Sequence, residues 1–206
     1  MRRPLSLLVC TAALCASLGT TSRAWAEGLA PDERARLDRR ETVVREETFE
    51  RGDRRYVGGI TYTLMDATVT EVAAIIDNPD SLRRVLPKTK TASVVGQTGE
   101  DALIELVQGT SMLEATYTIR MRRTANESRF WLEPSLPHGI DDAWGFFRYE
   151  PVVGPAGEAR VLLTYGVLVD VGPGIVRELF ETQLRAALLS VPQLVRRESA
   201  LRASLR

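Results

Sequence analysis

The sequence predicts an α+β domain in which one antiparallel sheet is followed by a long amphipathic helix. Three observations carry this. From Ala92 onward, short strand-like runs follow one another across turns such as Gly96-Gln97-Thr98-Gly99, Thr124-Ala125-Asn126 and Gly154-Pro155-Ala156-Gly157. Links of that length make hairpins and are too short for parallel crossovers. The period then changes: Val176, Leu179, Phe180, Leu184, Ala187, Leu188, Val191 and Val195 recur every three or four positions, one stripe of a helix. Between the first strands and the rest, residues 70–86 show helical spacing of their own.

The N-terminus reads as a targeting segment. Arg2 and Arg3 precede an uncharged apolar stretch from Leu5 to Leu18, and Ala24-Trp25-Ala26 supplies small residues for a peptidase. Residues 1–26 are therefore expected to be a cleavable signal peptide, cut after Ala26, which implies a periplasmic or secreted protein. An uncleaved anchor is the alternative, but the stretch is shorter than the ~20 residues a membrane span needs. Both cysteines, Cys10 and Cys15, fall inside it, so the remaining chain is expected to have no thiol, disulfide or Cys-bound metal. Without residues 1–26 the chain carries 24 basic and 27 acidic groups, a net charge near −3. That balance argues against a nucleic-acid partner. About 180 residues suffice for one substantial core.

The elements follow in order. Residues 27–55 are a charged segment with a short helix opening at Pro31-Asp32 and a first strand beginning at Thr42-Val43-Val44. A turn is expected over Phe49–Arg54 and a second strand from Tyr56 to Met65. Gly58-Gly59 inside that strand indicates either a bulge or a close backbone approach. A helix starts at Thr70 and is broken by Asn78-Pro79-Asp80; another runs from Ser81 to Leu86 and stops at Pro87. Strands are expected at Ala92–Val95, Ala102–Gly109, Leu113–Arg123, Arg129–Glu133, Trp144–Val152 and Arg160–Asp170. The long helix follows Gly172-Pro173-Gly174, with Pro192 bending or breaking it near its end. Residues 199–206 read as a tail.

The strand over 113–123 poses the functional question. Leu113, Ala115, Tyr117, Ile119 and Met121 fall on one face and Glu114, Thr116, Thr118, Arg120 and Arg122 on the other. The apolar face meets either a packed core or the wall of a cavity.

The order of elements resembles the helix-grip fold of the START-like superfamily, also called SRPBCC, which includes lipid carriers and polyketide cyclases. The sharpest local likeness is Thr68-Val69-Thr70-Glu71-Val72-Ala73-Ala74-Ile75-Ile76-Asp77, running on to Leu86-Pro87, with Gly172-Pro173-Gly174-Ile175-Val176 before the last helix. The likeness covers roughly residues 56–198, and it is a pattern without an invariant catalytic signature. It implies a curved antiparallel sheet wrapped around the C-terminal helix with a hydrophobic cavity between them. The fold hosts binders and enzymes alike.

Under that resemblance, the expected ligand-binding residues are Ile104, Leu106, Gln108, Ala115, Tyr117, Ile119, Met121, Trp144, Phe146, Tyr165, Val167, Leu179, Phe180 and Leu184, with Leu163 and Val169 on the same wall. A dry void of ~400 Å³ at ~24 cal/mol per Å³ would cost about 10 kcal/mol. That rivals the ~5–15 kcal/mol net stability of a domain. Such a space must therefore be filled by side chains, water or an apolar ligand. The expected ligand is a lipid, a sterol-like or another polycyclic molecule, oriented by a tyrosine or by Gln108. No cofactor or metal is expected, and the chain is expected to be monomeric.

Two alternatives stand beside this reading. One is a cyclase or dehydratase on the same fold, with His138, Tyr117 or Tyr165 polarising a carbonyl. The other is an envelope interaction protein with a filled core. His138, the only histidine, sits in a Gly/Pro-bearing stretch that reads as an exposed loop. That loop, residues 134–143, has apolar Leu136 and Ile140 suited to a flap or a transient membrane contact. Arg120, Arg122 and Arg123 form either a solvated face or a weak contact with anionic lipid.

Overall fold

The computed structural model describes residues 28–110 and 114–205. The segment expected to be a signal peptide, with Cys10 and Cys15, lies outside them, as do Leu113 and the side chains of residues 175–178, Val176 included. After helix α1 (Pro31–Asp38), strands β1 (Val43–Arg51) and β2 (Arg54–Met65) form a hairpin, followed by helices α2 (Val69–Ile76) and α3 (Pro79–Val85). Six strands come next: β3 (Thr89–Thr98), β4 (Asp101–Gly109), β5 (Glu114–Arg123), β6 (Glu127–Leu132), β7 (Asp142–Val153) and β8 (Ala159–Asp170). Helices α4 (Ile175–Leu189) and α5 (Val191–Ser204) end the described chain.

All eight strands form one curved antiparallel sheet in the order β1-β2-β8-β7-β6-β5-β4-β3. The bent C-terminal helix pair lies in its hollow, and this is the helix-grip α+β fold expected from the sequence. The charged segment, described from residue 28 to 55, is part of it, because β1 pairs along β2 as the edge strand. That hairpin is tighter than the expected Phe49–Arg54 turn: Arg51 pairs with Arg54, and Gly52, at φ 65°, turns the chain with Asp53.

Local chemistry sets the helix boundaries. Thr68 and Glu71 cap α2 reciprocally, the Thr68 backbone N–H donating to the Glu71 carboxylate at 2.9 Å. Asn78 stops α2 and caps α3, its side chain accepting from Ser81 N–H at 3.0 Å, with Pro79 in the first turn. At Gly58 and Gly59 the pairing on both sides is continuous, so there is no bulge. A Cβ would fall 1.9 Å from the Val167 carbonyl oxygen at Gly58 and 2.1 Å from that of Arg45 at Gly59. Close backbone approach is the reason for both glycines.

The break expected at Pro192 is there, but not near the helix's end. The proline breaks the helix in the middle, and α5 continues to Ser204 through what read as a tail. Proline in the first turn of a helix has no intrahelical N–H bond to lose, so a second helix starts there at no cost. That second helix is firmly held: α5 packs on α2 and α3, and Glu198 takes Arg84 bidentately at 2.7 and 3.1 Å.

The main core lies between the sheet and the helices. A smaller cluster of Leu29, Leu37, Val43, Leu64 and Leu162 sits on the opposite face of the sheet, under α1. Arg45 ties α1 down through Glu33 and lies 5.3 Å from the centre of the Tyr62 ring.

Candidate ligand-binding site

The interior changes character along its length. At one end, α2 and α5 cover the sheet, and Val72, Ile75, Ile76, Val85, Ile104, Val161, Leu163 and Val195 are sealed from solvent. Moving along the strands toward the other end, coverage falls. On β4, buried Ile104 and Leu106 give way to half-buried Gln108; on β5, Met121 and Ile119 give way to half-buried Tyr117 and Ala115. On the helices, buried Val195 and Val191 give way to half-buried Leu188 and Leu184, and then to Phe180 at 47% exposure.

A cavity of about 50 Å³ lies toward this open end. Leu82, Leu86 and Pro87 line it from the α3 side, Leu106 and Gln108 from β4, and Tyr117, Ile119 and Met121 from β5. Phe130, Ala143, Phe147, Tyr165, Val167 and Val169 complete the sheet wall, and Leu188 and Val191 the helix wall. The space is smaller than the ~150 Å³ of an engineered apolar cavity that takes up benzene. Side chains fill the rest, above all three stacked or tilted rings: Phe147 and Tyr165 with centroids 4.7 Å apart, and Phe130 at 5.8 Å from Phe147.

Gln108 is held by three partners. Its Nε2 donates to the Pro87 carbonyl at 3.3 Å and to Thr89 Oγ1 at 2.7 Å, and its Oε1 accepts from the Tyr117 hydroxyl. Burial pushes the phenols of Tyr117 and Tyr165 above the ordinary tyrosine range, so both stay neutral.

The loop between β6 and β7 closes the open end. Gly139 N–H donates to the Thr116 carbonyl and Asp141 N–H to that of Asp170, each at 2.9 Å. At its base, Glu133 accepts from Ser135 Oγ at 2.5 Å and from Arg120 Nε at 2.8 Å. These donors hold the Glu133 carboxyl down at about 2. Ile140 is buried and Leu136 half-buried. His138 is exposed, its Nδ1 donating to the Ile140 carbonyl at 2.7 Å, and it does not line the cavity.

Of the residues expected to bind ligand, Leu106, Gln108, Tyr117, Ile119, Met121, Tyr165 and Val167 are brought together around the cavity. Ile104 belongs to the sealed end, while Ala115 and Leu184 are half-buried outside the lining. Trp144 and Phe146 are corrected: they point to the other face of the sheet, Trp144 at 44% exposure, while Ala143, Gly145, Phe147 and Tyr149 point inward. Gly145 fits that face because a Cβ there would fall 2.3 Å from the Gly166 carbonyl oxygen and 2.4 Å from the Phe130 ring. Phe146 covers Gly166 in the same way on the outer face. Leu179, at 64% exposure, and Phe180 are corrected too, because the first turns of α4 extend beyond the sheet's cover.

Phe130, Ala143 and Phe147 were missed by sequence reasoning. Phe130 and Leu132 alternate with Arg129 and Trp131, and that alternation was the available signal. Among the described residues, no group of three or more side chains could hold a metal ion. No described helix is long and apolar enough to cross a membrane.

No protein-family model matches the chain, and no curated protein sequence matches it. Solved structures do match. A STAR-related lipid transfer protein from Xanthomonas axonopodis aligns at 14% identity and TM-score 0.58, over 77% of this chain and 93% of that one. A START superfamily protein from Mycobacterium smegmatis aligns at 11% identity and TM-score 0.56, over 69% of this chain and 96% of that one. The di-domain ARO/CYC StfQ from the steffimycin biosynthetic pathway aligns at 11% identity and TM-score 0.50, over 84% of this chain and 55% of that one. At these identities the likeness is one of fold, and the fold is START-like.

Proposed function

We propose that this chain is a binding or transfer protein that holds a lipid, sterol-like or polycyclic molecule in the open end of its helix grip, without covalent chemistry. The observation that carries this is the gradient along the interior. A core that is sealed at one end and hollow and ring-lined at the other is built to admit an apolar body. Burial of apolar surface at about 25 cal/mol per Å² is the driving force. The present space takes only part of such a ligand, so binding widens it at the least covered wall, where Leu188 and Leu184 face the sheet. The lipid transfer protein among the matching folds supports the reading.

The signal-peptide pattern of residues 1–26 supports work in the periplasm or outside the cell. Leu179 and Phe180, exposed on the same helix stripe that enters the cavity, support transient contact with a membrane during loading. The protein acts as a monomer in this reading.

Native mass spectrometry of protein recovered from its own envelope without detergent tests the proposal. A discrete adduct released intact by organic solvent is expected. Repeated absence of any adduct, with no thermal shift across a lipid panel, would refute it.

A further inference from the structure

Three polar side chains, Gln108, Tyr117 and Tyr165, line the cavity, and no charged side chain does. Their hydrogen bonds fix what each has left to offer. The Pro87 carbonyl accepts only, so Gln108 must turn its Nε2 toward it and its Oε1 toward Tyr117. The Tyr117 proton is thereby committed, and its oxygen remains as an acceptor. Tyr165 is the converse case. It is 2% exposed, lines the same cavity, and its hydroxyl has no hydrogen-bond partner among the described residues. The side chain is buried but its oxygen is not among the fully enclosed atoms that lack a partner, so the hydroxyl is open to the cavity and free to bond a ligand there.

We propose that the cavity selects a neutral apolar molecule bearing a hydroxyl group, held with Tyr165 Oη as donor to it and Tyr117 Oη as acceptor from it, and rejects the carboxylate of the same chain. This rests on the cavity reading above and specifies the ligand's polar end. A hydroxyl both donates and accepts, which matches the pair. An ether or ester meets only the Tyr165 donor. A carboxylate would be buried beside a phenol oxygen with no cation in reach, and an uncompensated buried charge is strongly disfavoured.

Displacement of the neutral dye Nile red by decanol, decyl methyl ether and decanoate tests this near neutral pH. Decanol should displace it at concentrations about two- to tenfold lower than the ether, the worth of one neutral hydrogen bond. Decanoate should be weaker than decanol by about 100-fold or more, and should gain as acid neutralises it. Tyr165→Phe, which keeps the ring and its stacking on Phe147, should weaken decanol and the ether alike by about two- to tenfold, each read as its own dissociation constant, and leave the ratio between them unchanged. Decanoate binding as tightly as decanol, or decanol and ether affinities that do not move in Tyr165→Phe, would overturn the proposal while leaving the cavity reading intact. Failure of Nile red and all three competitors to bind would overturn the cavity reading, and this inference with it.

Discussion

The two ends of the interior are made by the same strands and differ in what covers them. At the sealed end, α2 and α5 lie over Ile104, Leu163 and Val161, and α5 is clamped through Glu198 to Arg84 on α3. At the open end the cover is α4 and the β6–β7 loop. The α4 helix is fastened at the side, where Glu181 meets Arg55 at 3.1 Å and Arg185 meets Thr48 at 2.7 Å. Among its described side chains, the stripe meets the sheet from Leu184 onward. The difference teaches that one alternating strand can serve both a core and a cavity: the pattern fixes the face, and the helix crossing above it decides whether that face is packed or hollow.

The largest effects should come from the sealed end. Leu163→Ala removes a fully buried side chain among close neighbours and should cost ~2–5 kcal/mol in urea unfolding. Leu188→Ala at the cavity wall should cost clearly less, under about 1 kcal/mol, because its neighbours already face space. Equal losses would abolish the distinction between the ends.

Thr68→Ala removes the cap of α2 and should cost about 1 kcal/mol, again at the sealed end, with faster hydrogen exchange confined to the first turn of α2.

Acid should act at the opposite end. Glu133 titrates at about 2 in the folded protein against an ordinary 4.5. Its contribution is therefore fully present above pH 4.5 and is lost as pH falls toward about 2. Hydrogen exchange in residues 134–141 should quicken through that window before exchange in α2 does. Glu133→Gln should show the quickened loop already at neutral pH. Simultaneous loosening of both ends would contradict the assignment of Glu133 to the rim. The smallest stability effect is expected for Phe180→Ser, within about 0.5 kcal/mol, since the side chain is largely solvated. On the proposed membrane contact, the same change should slow ligand uptake from vesicles.

The sequence made some of this legible. On β5, Arg120 and Arg122 alternate with Ile119 and Met121, and β4 and β8 gave the correct inward face by the same logic. Strand β7 did not, because Trp144-Gly145-Phe146-Phe147-Arg148-Tyr149 places aromatics in both phases. Its orientation shows only in the packed sheet, where Gly145 lies against the Gly166 carbonyl and under the Phe130 ring with no room for a Cβ. The apolar stripe of the last helices was readable, but which turns the sheet covers depends on where the helix crosses it. The outer cluster was hidden for a similar reason: Leu29 and Leu37 are lone leucines in a charged segment, and only the β2–β8 register brings Leu64 and Leu162 together under them.

The most direct test of a hollow open end is to fill it. Ala143 points into the cavity from β7, so Ala143→Leu should occupy the space. The account predicts that its melting temperature holds or rises, as for other cavity-filling changes, while Nile red binding is lost. A fall in stability of about 1–3 kcal/mol, the signature of an overpacked core, with dye binding unaltered would show that the open end is closed-packed after all and would contradict the account.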